Sequence, residues 1–154
     1  MLNTKTFKTL FASSALLWSA AQAHVVVTTD TGAFESQAGK YQIYRMMVPN
    51  EAVMPAATTR VRLQVPEGMD IWWVKPVPRW TYTLEKDAAG RTTALVWQGM
   101  LKRNEFELFY FFAVNPKEKD SILHWKAQQT FIDGTVWPWD GSSDLRPDSM
   151  TLLK

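Results

Sequence analysis

The stretch QQTFIDGTVW, residues 128–137, decides the fold. Two short runs rich in Thr, Phe, Ile, Val and Trp flank Asp133-Gly134. That dipeptide is a strong signal for a two-residue hairpin, because both central positions of a type I′ turn need positive φ. Working outward, the same pattern recurs along the chain. Strands are expected near 24–29, 41–48, 59–65, 70–75, 80–86, 92–98, 105–114, 122–132 and 135–139, separated by Gly, Pro, Asn and Asp. Val61, Leu63 and Val65 alternate with Arg62 and Gln64, which gives one buried face and one wet face. Ala89-Gly90 is expected to turn another pair, while Pro66-Glu67-Gly68 and Pro76-Val77-Pro78 interrupt strands that could not continue through them. No segment carries a helical period. Short strands with regular turn punctuation predict an all-β, antiparallel, immunoglobulin-like β-sandwich. Residues 142–154 read as a polar, loosely held C-terminal tail.

The N-terminus has a different character. Lys5 and Lys8 precede the apolar run TLFASSALLWSA (residues 9–20), and Ala21-Gln22-Ala23 supplies a small-x-small cleavage pattern. These are the three parts of a secretory signal peptide. Residues 1–23 are therefore expected to be removed, leaving a sandwich domain over 24–141 and a periplasmic or secreted product. Of the 17 Lys and Arg, two lie in this leader, which leaves 15 against 15 Asp and Glu. A balanced charge argues against nucleic acid, which calls for a clustered basic face. No second long apolar run offers a membrane anchor.

The chain has no cysteine, so thiolate metal sites, Cys nucleophiles and redox disulfides are excluded. Any bound metal must be held by nitrogen, oxygen or a Met thioether. The domain folds by packing alone, and Trp72, Trp73, Trp80, Trp97, Trp125 and Trp137 are expected to supply core. Trp139 is the exception to be tested.

Cleavage after Ala23 makes His24 the first residue. An N-terminal histidine offers its free amine and its Nδ1 together, and the two close a six-membered chelate ring on one metal ion. Chelation makes the second bond nearly unimolecular, and nitrogen donors in a tetragonal set favour Cu(II). The chain has only two histidines, so a chance His directly after the cut is improbable. A cleavage site that happens to precede a His is the plain alternative.

The order and spacing of several fragments carry a resemblance: AHVVV (23–27), GKYQIYRMMVPNE (39–51), TTRVRLQVPEGM (58–69), VKPVPRWTY (74–82), ALVWQG (94–99), EFELFYFFA (105–113), LHWKAQQTFIDG (123–134) and WPWDG (137–141). The chain resembles the YcnI-like family, also called DUF1775, of exported bacterial copper-binding proteins. The resemblance implies a β-sandwich holding one Cu(II) through a mono-histidine brace. In that brace the N-terminal residue gives amine and imidazole, a carboxylate completes the set, and a tryptophan lies over the metal. By position His24 matches the histidine and Trp139 the tryptophan. The family's carboxylate directly follows the tyrosine of a G-x-Y element. Here that element is Gly39-Lys40-Tyr41 and the next residue is Gln42, a neutral and poorer partner. Glu35, on an expected loop, is the first replacement ligand, with Gln42 second; Asp30 lies in the same stretch. Asp140 is a third candidate, better read as shaping its turn.

Other readings have less behind them. His124 sits on an expected strand between Leu123 and Trp125, where a half-exposed strand residue is the better account than a second ligand. Met46, Met47 and Met54 lack the clustering of Cu(I) carriers and fit packing. No nucleophile triad or phosphate loop is present. The expectation is a non-enzymatic copper trafficking or buffering protein, whose partners are the copper ion and other periplasmic copper carriers or transporters. The rivals are a copper-dependent oxidative enzyme of the polysaccharide monooxygenase kind and a metal-free adhesion or assembly module.

Overall fold

The computed structural model describes residues 23–52 and 56–154. The expected leader, apart from Ala23, lies outside the described residues, as does Met54. The described residues form twelve strands: β1 (Val26–Thr29), β2 (Glu35–Ser36), β3 (Tyr41–Pro49), β4 (Thr58–Gln64), β5 (Asp70–Val74), β6 (Thr81–Lys86), β7 (Thr92–Leu101), β8 (Phe106–Val114), β9 (Ile122–Trp125), β10 (Ala127–Phe131), β11 (Val136–Trp139) and β12 (Ser149–Leu153). No helix occurs among the described residues. The strands build three sheets, in the orders β1-β3-β8-β5, β11-β10-β4-β7-β6 and β2-β12-β9. Every pairing is antiparallel except β2 with β12.

One apolar core joins the three sheets. Tyr44, Met46, Phe109 and Phe111 meet Val61, Leu63, Leu95 and Trp97, and Trp125 and Leu153 close the third side. The alternation read in the sequence holds: in β3, Tyr44, Met46 and Val48 are buried while Arg45 and Met47 are half-exposed. Each such side chain contributes about 1.5–3 kcal/mol on leaving water.

The hairpin at Asp133-Gly134 forms, with a different turn from the one expected. Only Gly134 takes positive φ, at 85°. The Phe131 N–H donates to the Thr135 carbonyl at 2.9 Å, and the Gly134 N–H donates to the Phe131 carbonyl at 3.0 Å. The loop is thus Ile132-Asp133-Gly134, a turn closed by a left-handed glycine. The Asp133 carboxylate accepts the Thr135 N–H instead of sitting at positive φ. The Asp87–Arg91 turn, through Gly90, follows the same pattern.

Three other expectations change. The run 122–132 is two strands, since the chain changes sheets at Lys126, whose carbonyl accepts the Gln64 N–H. Residues 149–153 are not a loose tail but β12, between β2 and β9. The inward polar residues of that strand have partners: Ser149 Oγ accepts the Val27 N–H and donates to the Val27 carbonyl, and Thr151 Oγ1 accepts the Trp125 indole N–H at 3.0 Å. Finally, Trp72 and Trp73 are not core. A register shift between Ile71 and Trp73 leaves them 45% and 63% exposed, as expected of a bulge that re-aims side chains.

Candidate metal centre

His24 lies two residues before the start of β1, whose Val26 pairs with Met47 of β3. The end of β3 and the turn after it are therefore brought to the histidine. That turn is fixed by Asn50, which is fully buried. Its N–H donates to the Glu105 carbonyl, its carbonyl accepts the Asn104 N–H, and its side chain bonds the Ala56 and Leu101 carbonyls and the Ala52 N–H. Every polar atom of Asn50 is thus committed, as burial requires. Glu51, between Asn50 and Ala52, is held outward. Its carboxylate accepts the N–H of Ala23, the residue before His24, at 3.0 Å.

Trp139 completes the arrangement from β11. Its ring centre stands 5.8 Å from the His24 imidazole, with the planes at 52°. The indole is only 5% exposed, and its N–H donates to Gln129 Oε1 at 3.2 Å. Gln129 in turn donates from Nε2 to the Pro49 carbonyl at 2.9 Å and to Thr58 Oγ1 at 2.7 Å. One buried amide therefore ties the tryptophan to the residue that begins the Glu51 turn. Neither Glu51 nor Gln129 was singled out in the sequence. The signal for Gln129 was a polar residue at an inward position of an alternating strand, and the signal for Glu51 was its place closing the fragment 39–51.

The structure does not bring Gln42 to His24. Val26 pairs with Met47 and Thr29 with Tyr44, so Gln42 lies past the far end of β1. Extended to His24, that register sets Pro49 opposite it, seven residues from Gln42, or roughly 24 Å at about 3.4 Å per residue. Gln42 instead accepts from Ser36 Oγ and donates to Asp30 Oδ1, both at 3.1 Å, and to the Ile43 carbonyl. Ser36 continues the chain to Asn115 and the buried Tyr44 hydroxyl, whose pKa burial raises. Glu35 lies on β2, not on a loop, opposite Leu152 of β12, with its carboxylate 3.7 Å from the Lys154 ammonium. Asp140 accepts the Ser142 N–H at 3.0 Å. Hydrogen bonding from the Ser142 side chain, and then from that N–H, holds its carboxyl below the ordinary value, which fits the turn-shaping role. His124 is exposed and pairs with Asp148, as a half-exposed strand histidine would.

Among the described residues no three His, Asp or Glu side chains converge on one point. The donors gathered here are the His24 imidazole, the His24 nitrogen that becomes an amine if the chain is cut after Ala23, and the Glu51 carboxylate, which bonds the N–H of the preceding Ala23. This nitrogen-and-oxygen set fits a divalent ion of the Cu(II) type.

Fold and site together define an immunoglobulin-like β-sandwich in which an N-proximal histidine stands beside a buried tryptophan, with a loop carboxylate bonded to the residue before it. Residues 24–151 match the family described as a domain of unknown function, DUF1775, and the chain belongs to that family. It is 32% identical over 137 residues to the copper-binding protein CutI of Bacillus subtilis (strain 168), an alignment covering 86% of this chain and 63% of that one. The chain therefore spans less than two thirds of the length of this relative. A crystal structure from Nocardia farcinica, described as an immunoglobulin-like fold, superposes with a TM-score of 0.70 at 23% identity, covering 85% of this chain and 99% of the other. The cohesin module of a Clostridium perfringens family 33 glycoside hydrolase superposes at 0.55 with 9% identity, covering 85% and 96%. Both likenesses concern the fold alone. No helix among the described residues is long and apolar enough to cross a membrane.

Proposed function

We propose that the chain, once cut after Ala23, binds one Cu(II) at His24 and serves as a non-catalytic periplasmic or secreted copper carrier or buffer. The observation that carries this reading is the Trp139 indole 5.8 Å from the His24 imidazole, beside a Glu51 carboxylate whose partner, the N–H of Ala23, is removed by the cut. Membership of DUF1775 and the 32% identity to a copper-binding protein support it.

His24 supplies imidazole and amine as a chelate, and Glu51 supplies the anionic oxygen that Gln42 could not. The ligand set carries one negative charge, which offsets part of the charge of a divalent ion. Trp139 bounds the site with an apolar face that limits the approach of water. Glu51 replaces Glu35 and Gln42 as the third ligand, and His24 and Trp139 keep the parts assigned to them. Copper is cargo in this account. Its donors and acceptors are other exported copper carriers or transporters.

The test is a Cu(II) titration of the chain beginning at His24, read by competition with a chromophoric chelator and by EPR. The expected result is one equivalent of Cu(II) with nitrogen coupling that His24→Ala abolishes. An unchanged spectrum in His24→Ala contradicts the proposal.

A further inference from the structure

A second cluster of ligating side chains lies on the outer face of the β2-β12-β9 sheet. His124 and Met150 are direct Cα partners across the antiparallel β9–β12 pair, so their side chains stand on the same face within contact of each other. Their neighbours Leu123, Trp125, Ser149 and Thr151 all point inward and are buried. Met150 is 49% exposed and the His124 side chain 53%, so packing accounts for neither.

Asp148 fixes the imidazole. Its Oδ2 lies 2.6 Å from His124 Nδ1, and its side chain is only 17% exposed. Gly141, at φ 78°, makes room for that carboxylate: a Cβ there would stand 3.2 Å from Asp148 Oδ1. As a single hydrogen bond at the surface the contact adds little stability. What it does is commit Nδ1 and leave Nε2 as the nitrogen available to a ligand. A carboxylate behind an imidazole is the usual outer support of a metal-binding histidine.

We infer that His124 Nε2 and the Met150 thioether form a second metal site, selective for a soft monovalent ion such as Cu(I), with Asp148 as its positioning residue. A thioether is a soft donor and favours Cu(I) over divalent ions, and monovalent d10 ions are satisfied by few ligands. Asp148 and Met150 also line, with His24, one groove of about 460 Å³. An ion held at Met150 therefore sits along the approach to His24. Its open coordination suits a station that takes and releases the ion. The inference goes beyond the Cu(II) reading of His24 and stands or falls separately from it.

The test uses the chain beginning at His24 and Ag(I), a redox-inert stand-in for Cu(I), titrated in competition with a chelator. Met150→Leu and His124→Asn each lower Ag(I) affinity at least tenfold, whereas His24→Ala leaves it within twofold. In the unsubstituted chain, the methyl resonance of Met150 moves on Ag(I) addition and that of buried Met46 does not. Equal Ag(I) affinity in Met150→Leu and the parent chain, or an unmoved Met150 methyl, overturns the site. Loss of Ag(I) binding in His24→Ala alone would also overturn it, placing the ion at His24.

Discussion

The imidazole of His24 and the indole of Trp139 stand 5.8 Å apart with their planes at 52°, although 114 positions separate them in the chain. What holds that distance is not on either residue. Gln129 takes the indole N–H and donates to the Pro49 carbonyl, so the tryptophan and the turn bearing Glu51 move as one piece. Gln129→Leu keeps the volume and removes every one of these bonds. It is expected to cost about 2–3 kcal/mol, since buried groups lose partners, and to weaken Cu(II) binding. Urea unfolding followed by Cu(II) titration measures both effects.

The third ligand separates the candidates cleanly. Glu51→Gln should weaken Cu(II) binding about tenfold or more, in line with about 1.5–3 kcal/mol for a contact to a charged group. Glu35→Gln and Gln42→Ala should leave affinity within about twofold, since Gln42 lies past the far end of β1 and the Glu35 carboxylate is turned to the Lys154 ammonium. A Cu(II) competition assay on the three variants decides the matter.

Gln42 is an amide for a structural reason. It accepts from Ser36 and donates to Asp30, and a carboxylate can do only the first. Gln42→Glu sets two carboxylates against each other, which favours protonation of one of them. The carboxyl pKa is then higher folded than unfolded, so the penalty is absent below the unfolded pKa and grows as pH rises through the folded one. The variant is expected to lose about 1–2 kcal/mol near pH 7 and to approach the parent near pH 4. Thermal melts at the two pH values check the sign.

A close approach elsewhere in the sandwich gives a test of packing. A Cβ on Gly99 would lie 2.3 Å from Trp80 Cδ2, and the Trp80 ring is itself held edge-on against Phe109 at 5.0 Å. Gly99→Ala should destabilise by about 1–3 kcal/mol, the usual cost of overpacking. Copper binding should change far less, because the residue Gly99 crowds is Trp80 and not a ligand. Denaturant midpoints measure the loss.

The fold was legible because its strands alternate and its turns are marked by glycine. The expected antiparallel immunoglobulin-like sandwich is the one observed, and His24 and Trp139 do come together. Three features hid from the sequence. β12 looked solvated because two of its inward residues are Ser149 and Thr151, whose partners come from β1 and β9, distant in sequence. Trp72 and Trp73 looked like core because a register shift cannot be read from composition. Glu51 was passed over because its approach to the backbone ahead of His24 depends on the β1–β3 register and on Asn50, neither of which is a local property. Long-range pairing decided each of these.

The central claim is that His24 binds copper as an N-terminal residue. The most direct test adds one alanine ahead of His24 in the processed chain and measures Cu(II) affinity beside the chain that begins at His24. The account predicts a loss of at least a hundredfold, about 2.7 kcal/mol, because the amine is displaced from the chelate, together with loss of its nitrogen coupling in EPR. Equal affinity and an identical spectrum in the two chains would contradict it.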